Sequence, residues 1–260
     1  MLRSSFPRIE AELMFNEAFP DSINRTKAVT QAMIQSAATL GHAALEERLR
    51  KDNLFTRLLT AIPSQRISTF RGAVKKVADA HVTAFYQLAP EECSAKIPWL
   101  FNHLTYIYPG DFSKQSVPWG KPYQHPAVAA VIRACFFTGI GAFATLHADR
   151  FASSLPDRAD EREIPMAMLA LVSTAIHASL AEWKTGSHKS IPFSGDAFLD
   201  VYNEHRTLLI GIHKQNIRAY HTMMHRLYAV SSGTLQTQPA GAGAAANALA
   251  QVDIAAMDVD

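Results

Sequence analysis

Cysteine is almost missing from this chain. Cys93 and Cys135 are the only two in 260 residues, and they are not spaced as a metal or redox pair. Two lone thiols beside eleven histidines read as a protein of a reducing compartment. Charge is scarce too: Asp, Glu, Lys and Arg make up 18% of the residues, and the net charge is +2. No global field therefore draws the chain to nucleic acid or anionic lipid. The opening MLRSSFPRIEAEL has no apolar core of a secretory signal, which places the protein inside the cell, nuclear or cytoplasmic. There is no phosphate loop, dinucleotide fingerprint, nucleophile elbow or paired-cysteine zinc site. No internal repeat is visible, strand signals are weak throughout, and nothing implies a cofactor or a metal.

What the chain does have is apolar helical pattern, with a hydrophobic fraction of 48%. The stretch Ile164 to Lys184, IPMAMLALVSTAIHASLAEWK, organises the rest. Leu169, Val172, Ile176, Leu180 and Trp183 recur at helical spacing. The opposite side carries Ala167, Ala170, Leu171, Ala178 and Ala181, small enough for a second helix to approach. A helix apolar all round is a core helix or a membrane span. This run is marginal against the ~20 apolar residues a span needs, and it holds Ser173, Thr174, His177 and Ser179. The core reading is preferred and no membrane is expected.

Two neighbours are expected to pack on it. His125 to His147 is nearly as apolar, with Gly139 and Gly141 placed to kink or break it. After it, Ser194 reads as an N-cap with Asp196 in the first turn, and Phe193 and Phe198 have the spacing of a hydrophobic staple. Phe198, Val201, Tyr202, His205, Leu209 and Ile212 make the inward stripe of that helix. Upstream, Val29, Met33, Ile34, Ala37 and Leu40 line one helix and HAALEERLRK another. A short apolar segment closes at Pro63, and Ser64 to Leu88 forms a long amphipathic helix. Pro90 to Lys121 is irregular but aromatic, a loop packed on the surface or a partner groove. DRFASSLPDRADERE is a polar excursion. The last helix ends near Tyr228, and residues 230–260 are too poor in large apolar groups for a core and read as disordered.

Candidate chemistry is thin. His221 and His225 sit four apart on a helix, as in a two-histidine metal face, but Thr222 stands where a metalloprotease needs Glu. With Lys214 and Arg218 on the same edge, an anion is favoured over a metal, and a solvated basic edge is the bland alternative. Arg66, Arg71, Lys75 and Lys76 belong to a basic stretch that could contact nucleic-acid phosphates; again a solvated face is the alternative. His177 on the buried helix is a structural residue bonded to Ser173, Thr174 or a carbonyl, or a functional one with a perturbed pKa. No catalytic residue is assigned.

Several separated phrases occur together and in order: RISTFRGAVKKVADAHV, KPYQHPAV, IPMAMLALVSTAIHASLAEWKTG, FSGDAFLDVYNEH and AYHTMMHRLY. Over about residues 15–228 the chain resembles a fungal domain family of unknown function, abundant in mushroom-forming basidiomycetes. In that family the domain commonly sits at the C-terminal end of longer proteins with low-complexity leaders, whereas here almost no leader precedes it. The resemblance implies no reaction, cofactor or catalytic residue.

The expected architecture is an all-α single domain of roughly eight or more helices around the Ile164 to Lys184 helix. Residues 1–14 are a lead-in, 15–229 the domain and 230–260 the tail. The expected function is a non-enzymatic interaction module for a protein or nucleic acid partner. The alternative is an enzyme of unrecognised type built on buried or clustered histidines.

Overall fold

In the Met166–Ala181 helix only Met166, His177 and Ala181 escape full burial. The computed structural model describes residues 1–235. It places ten α-helices in chain order: α1 Leu2–Phe15, α2 Ser22–Thr39, α3 Ala43–Lys51, α4 Asn53–Phe85, α5 Cys93–Phe101, α6 Pro126–Ile132, α7 Phe143–Leu146, α8 Met166–Ala181, α9 Gly195–Gln215 and α10 Ile217–Ser232. Among the described residues there is no strand, only an isolated bridge between Asp111 and Ser116. The fold is all-α. No helix among these residues is long and apolar enough to cross a membrane.

The central helix packs chiefly on α4 and α9, with α1, α6 and α5 completing the surround. Each large apolar side chain it buries is worth about 1.5–3 kcal/mol relative to exposure. The helix starts are written into the sequence. Asp21, Asp52, Ser194 and Asn216 each accept a bond from the backbone N–H three residues on, at 2.8, 2.9, 3.3 and 3.0 Å, which satisfies donors that a helix leaves orphaned. Phe193 and Phe198 pack with centroids 5.3 Å apart, the staple read from their spacing.

Four expectations change. First, the stretch read as a lead-in forms α1, and Ile9, Leu13 and Met14 are buried in the common core. Second, α4 does not stop at Pro63: it runs unbroken for 33 residues with Pro63 buried inside it. A proline deletes one backbone bond, and packing against α1, α2, α3, α6 and α8 outweighs that loss. Third, the segment before the central helix is three pieces. α6 leads into a π-helical turn, Arg133–Phe137, then Gly139 and Gly141 turn the chain at positive φ of 94° and 70° before α7. Fourth, Leu40, read as lining the face of its helix, is exposed. α10 extends to Ser232 and closes on Gly233 at φ 80°. Most of the expected disordered tail, residues 236–260, lies outside the described residues.

The aromatic segment between α5 and α6 is core rather than groove. Tyr106, Tyr108 and Tyr123 are buried, and Trp119 is left exposed against Tyr108 at 5.1 Å. His103, Leu104 and Tyr123 take left-handed φ of 52°, 55° and 58°, a cost of order 1–3 kcal/mol each that burial of the tyrosines holds in place.

Candidate functional site

The polar excursion between α7 and α8 folds onto α10, and this decides the fate of the histidine pair. Glu161 Oε2 lies 2.7 Å from His221 Nε2, and Glu163 Oε1 lies 2.7 Å from His221 Nδ1. Glu163 also accepts from Ser154 N–H and Oγ at 2.6 and 2.7 Å. Arg218 pairs with Asp157 at 3.1 Å, Arg162 donates to Tyr228 Oη at 3.2 Å, and His225 Nδ1 donates to the Arg162 carbonyl at 2.9 Å. Burial opposes charge on His221, but hydrogen bonds to Glu161 and then Glu163 outweigh it, and the net pKa is raised. With a carboxylate on each ring nitrogen, the ring is an imidazolium donating in both directions.

That geometry revises the basic edge inferred from spacing. His221 is buried, and the groups facing it are carboxylates from a segment 60 residues away. Lys214, at the end of α9, is exposed and does not join them. The signal available in the sequence was Glu161 and Glu163 themselves, in the run ADEREI. Ser153 Oγ stands 3.3 Å from His221 Nδ1, so serine, histidine and Glu161 form a superficially triad-like row. A general base needs a free lone pair, and an imidazolium held by two carboxylates has none. Among the described residues no group of three His, Cys, Asp or Glu is arranged to hold a metal ion.

The basic strip on α4 is likewise taken apart. Arg66 pairs with Glu10 of α1 at 2.8 Å. Lys75 is buried between Asp79 at 2.6 Å and Glu182 at 2.7 Å. Glu182 in turn accepts from His188 Nε2 at 3.0 Å and from Ile191 N–H at 2.8 Å. Arg71 is buried, with its guanidinium 4.3 Å over the Phe19 ring. Lys76 is exposed and unpaired among the described residues, and the Arg66 side chain is exposed but held by Glu10.

His177 stacks on Phe101 at 3.9 Å. Neither its Nδ1 nor Ser173 Oγ has a partner, so the bond to Ser173 expected from their spacing is not made. Desolvation lowers the His177 pKa to about 4. Beyond it lies a polar network that no motif announced. His205 Nε2 meets Tyr106 Oη at 2.5 Å and its Nδ1 meets Tyr123 Oη at 3.1 Å, while Tyr86 Oη donates to the Tyr106 carbonyl at 2.8 Å. Burial, with His177 adding to it, lowers His205 to about 3, so it is neutral. One nitrogen accepts and the other donates, which two tyrosine hydroxyls satisfy. This network is fully enclosed and rigidifies the core.

Residues 5–212 match the model of a family described as a domain of unknown function, DUF6532. The chain belongs to that family. No curated protein and no solved structure matches it. The DUF6532 span runs from α1 into the end of α9, so it contains Lys75, Glu182, Arg71, His177 and His205. The histidine pair of α10 lies beyond it, and so does half of the clamp that ties α10 to the polar excursion.

Proposed function

We propose that this DUF6532 domain is an interaction module that docks a partner protein along the first half of α4. The observation that carries the reading is an apolar ridge. Leu54, Leu58 and Ile62 stand on successive turns of α4 and are 61%, 66% and 54% exposed. Residues four apart share a helix face, so the three form one stripe. Arg57, exposed beside it, has no ion-pair partner among the described residues. Aligned apolar anchors with a basic rim suit an apolar partner surface edged with acid. A nucleic acid partner is the weaker reading, since Lys75 and Arg71 are withdrawn from the surface. An intracellular setting fits the two free thiols.

The test compares affinity capture by the intact chain with capture by Leu54→Asp/Leu58→Asp. Both side chains are exposed, so circular dichroism melts of the two proteins should agree within a few degrees. Loss of a defined set of partners in the variant supports the ridge. Recovery of the same partners by both proteins sinks it. The alternative is an enzyme of unrecognised type built on buried or clustered histidines; fluorophosphonate labelling of Ser153, which stands beside His221, would favour it.

A further inference from the structure

A cleft is bounded by the turn before α2, the middle of α4 and the start of α9. Its volume is about 680 Å³, and Arg71 and Arg25 both line it. Arg71 is 7% exposed, makes no ion pair among the described residues, and its Nε is buried without a hydrogen-bond partner. Its one strong contact is the Phe19 ring, which does not neutralise it. Arg25, half-buried in the first turn of α2, has no ion pair among these residues either, and it is near enough to repel Arg71. Arg71 is a buried charge without a counter-ion among the described residues, with the Arg25 charge facing the same cleft, an arrangement that is unfavourable unless an anion enters.

The carboxylates around the cleft do not supply that anion. Glu17 is engaged by Arg206 at 3.2 Å and by Phe19 N–H at 3.1 Å. Asp21 is spent capping α2, on Asn24 N–H at 2.8 Å and Asn24 Nδ2 at 2.7 Å. Asp196 lines the cleft but is exposed and makes no ion pair with either arginine. The N-terminus of α9 opens on the same space through Ser194, Gly195 and Asp196, and a helix N-terminus attracts negative charge. The remaining walls include Phe193, Ile67 and Leu199, an apolar lining for a small organic body.

We propose that this cleft binds a small organic oxyanion, a phosphate or carboxylate group carried on an apolar body, through the paired guanidinium groups of Arg71 and Arg25. The fork of each guanidinium matches two oxygens of either group, and the apolar walls take the rest of the ligand.

Calorimetry on the full chain with phenyl phosphate, benzoate, inorganic phosphate and neutral benzyl alcohol tests this. Saturable binding of phenyl phosphate or benzoate, and none of benzyl alcohol, is expected. The stronger of the two anions identifies the oxyanion. Arg25→Ala should weaken binding about tenfold or more, and Asp196→Asn should strengthen it. Arg71→Met should abolish binding while its melting temperature stays at or above that of the native chain, since an apolar replacement of an unpaired buried charge is tolerated. A purely structural arginine on Phe19 would give the opposite: a destabilised Arg71→Met and no anion binding to the native chain. If Arg71→Met fails to fold, Arg25→Ala decides alone. No saturable binding of any anion, or equal binding by the native chain and Arg25→Ala, overturns the proposal.

Discussion

Lys75 on α4 and Glu182 just past the end of α8 are 107 residues apart in sequence, yet their charged atoms meet at 2.7 Å with both side chains buried. Burial alone would raise the Glu182 pKa. Bonds from Lys75, Ile191 N–H and His188 reverse it, and the net direction is down. Removing one partner strands the other charge, which costs about 3–5 kcal/mol, whereas replacing both with apolar groups is often near neutral. Lys75→Met is therefore expected to lose most of that amount in urea unfolding, and Lys75→Met/Glu182→Leu to regain much of it. A loss in the double variant equal to the sum of the losses in Lys75→Met and Glu182→Leu would show that the pair is not coupled.

Acid should unfold this domain early. Burial lowers His125 to about 3, His177 to about 4 and His205 to about 3. In the unfolded chain each histidine takes its proton near pH ~6.5. Between that value and the folded pKa, the unfolded state binds more protons, so stability falls as pH falls. The slope is about 1.4 kcal/mol per pH unit for each histidine. Urea unfolding at pH 7, 6 and 5 should show a combined fall of about 4 kcal/mol per unit at its steepest. His177→Gln should remove about a third of that slope; an unchanged slope would mean His177 is not among its sources.

The Glu161–His221–Glu163 clamp carries the opposite sign. A histidine whose folded pKa is raised contributes stability that is fully present below pH ~6.5 and is lost as pH rises through the folded value. Glu161 is lowered, chiefly by its bond to His221, so its share is present above the usual glutamate range and is lost as pH falls. The polar excursion should grip α10 best between those limits. Nitrogen-15 NMR should show His221 with protons on both ring nitrogens at neutral pH. Titration at or below pH ~6.5 would contradict the clamp.

Two glycines should respond to alanine in opposite directions. Gly72 lies inside α4 with nothing within 4 Å of an added Cβ, so Gly72→Ala is expected to stabilise by about 1 kcal/mol. Gly186 turns the chain at φ +83°, and a Cβ there would stand 2.6 Å from the Pro90 carbonyl oxygen. Gly186→Ala should destabilise by about 1–3 kcal/mol. Thermal melts of the two variants should fall on either side of the native chain.

Local features were legible in the sequence. The central helix, the Ser194 cap, the Phe193–Phe198 staple and the break at Gly139 and Gly141 all follow from short-range rules. Periodicity reports which face of a helix is apolar, and caps and glycines report where it starts and turns. Those rules failed where distant packing overrides them. α4 runs through Pro63 because it packs against five neighbouring helices. The segment before α2 is a core helix because Ile9, Leu13 and Met14 find partners from elsewhere in the chain.

By itself, the sequence determined an all-α chain wrapped on the segment that became α8, because apolar spacing and end signals act within a few residues. Only the tertiary structure decided what the charged residues do. Lys75 and His221 read as surface groups, and each became buried once carboxylates from remote segments arrived to pair with them. Arg71 is the exception: it is buried with no such partner. The cost of burying a charge depends on what stands within a few ångströms, and sequence spacing along one helix does not record that.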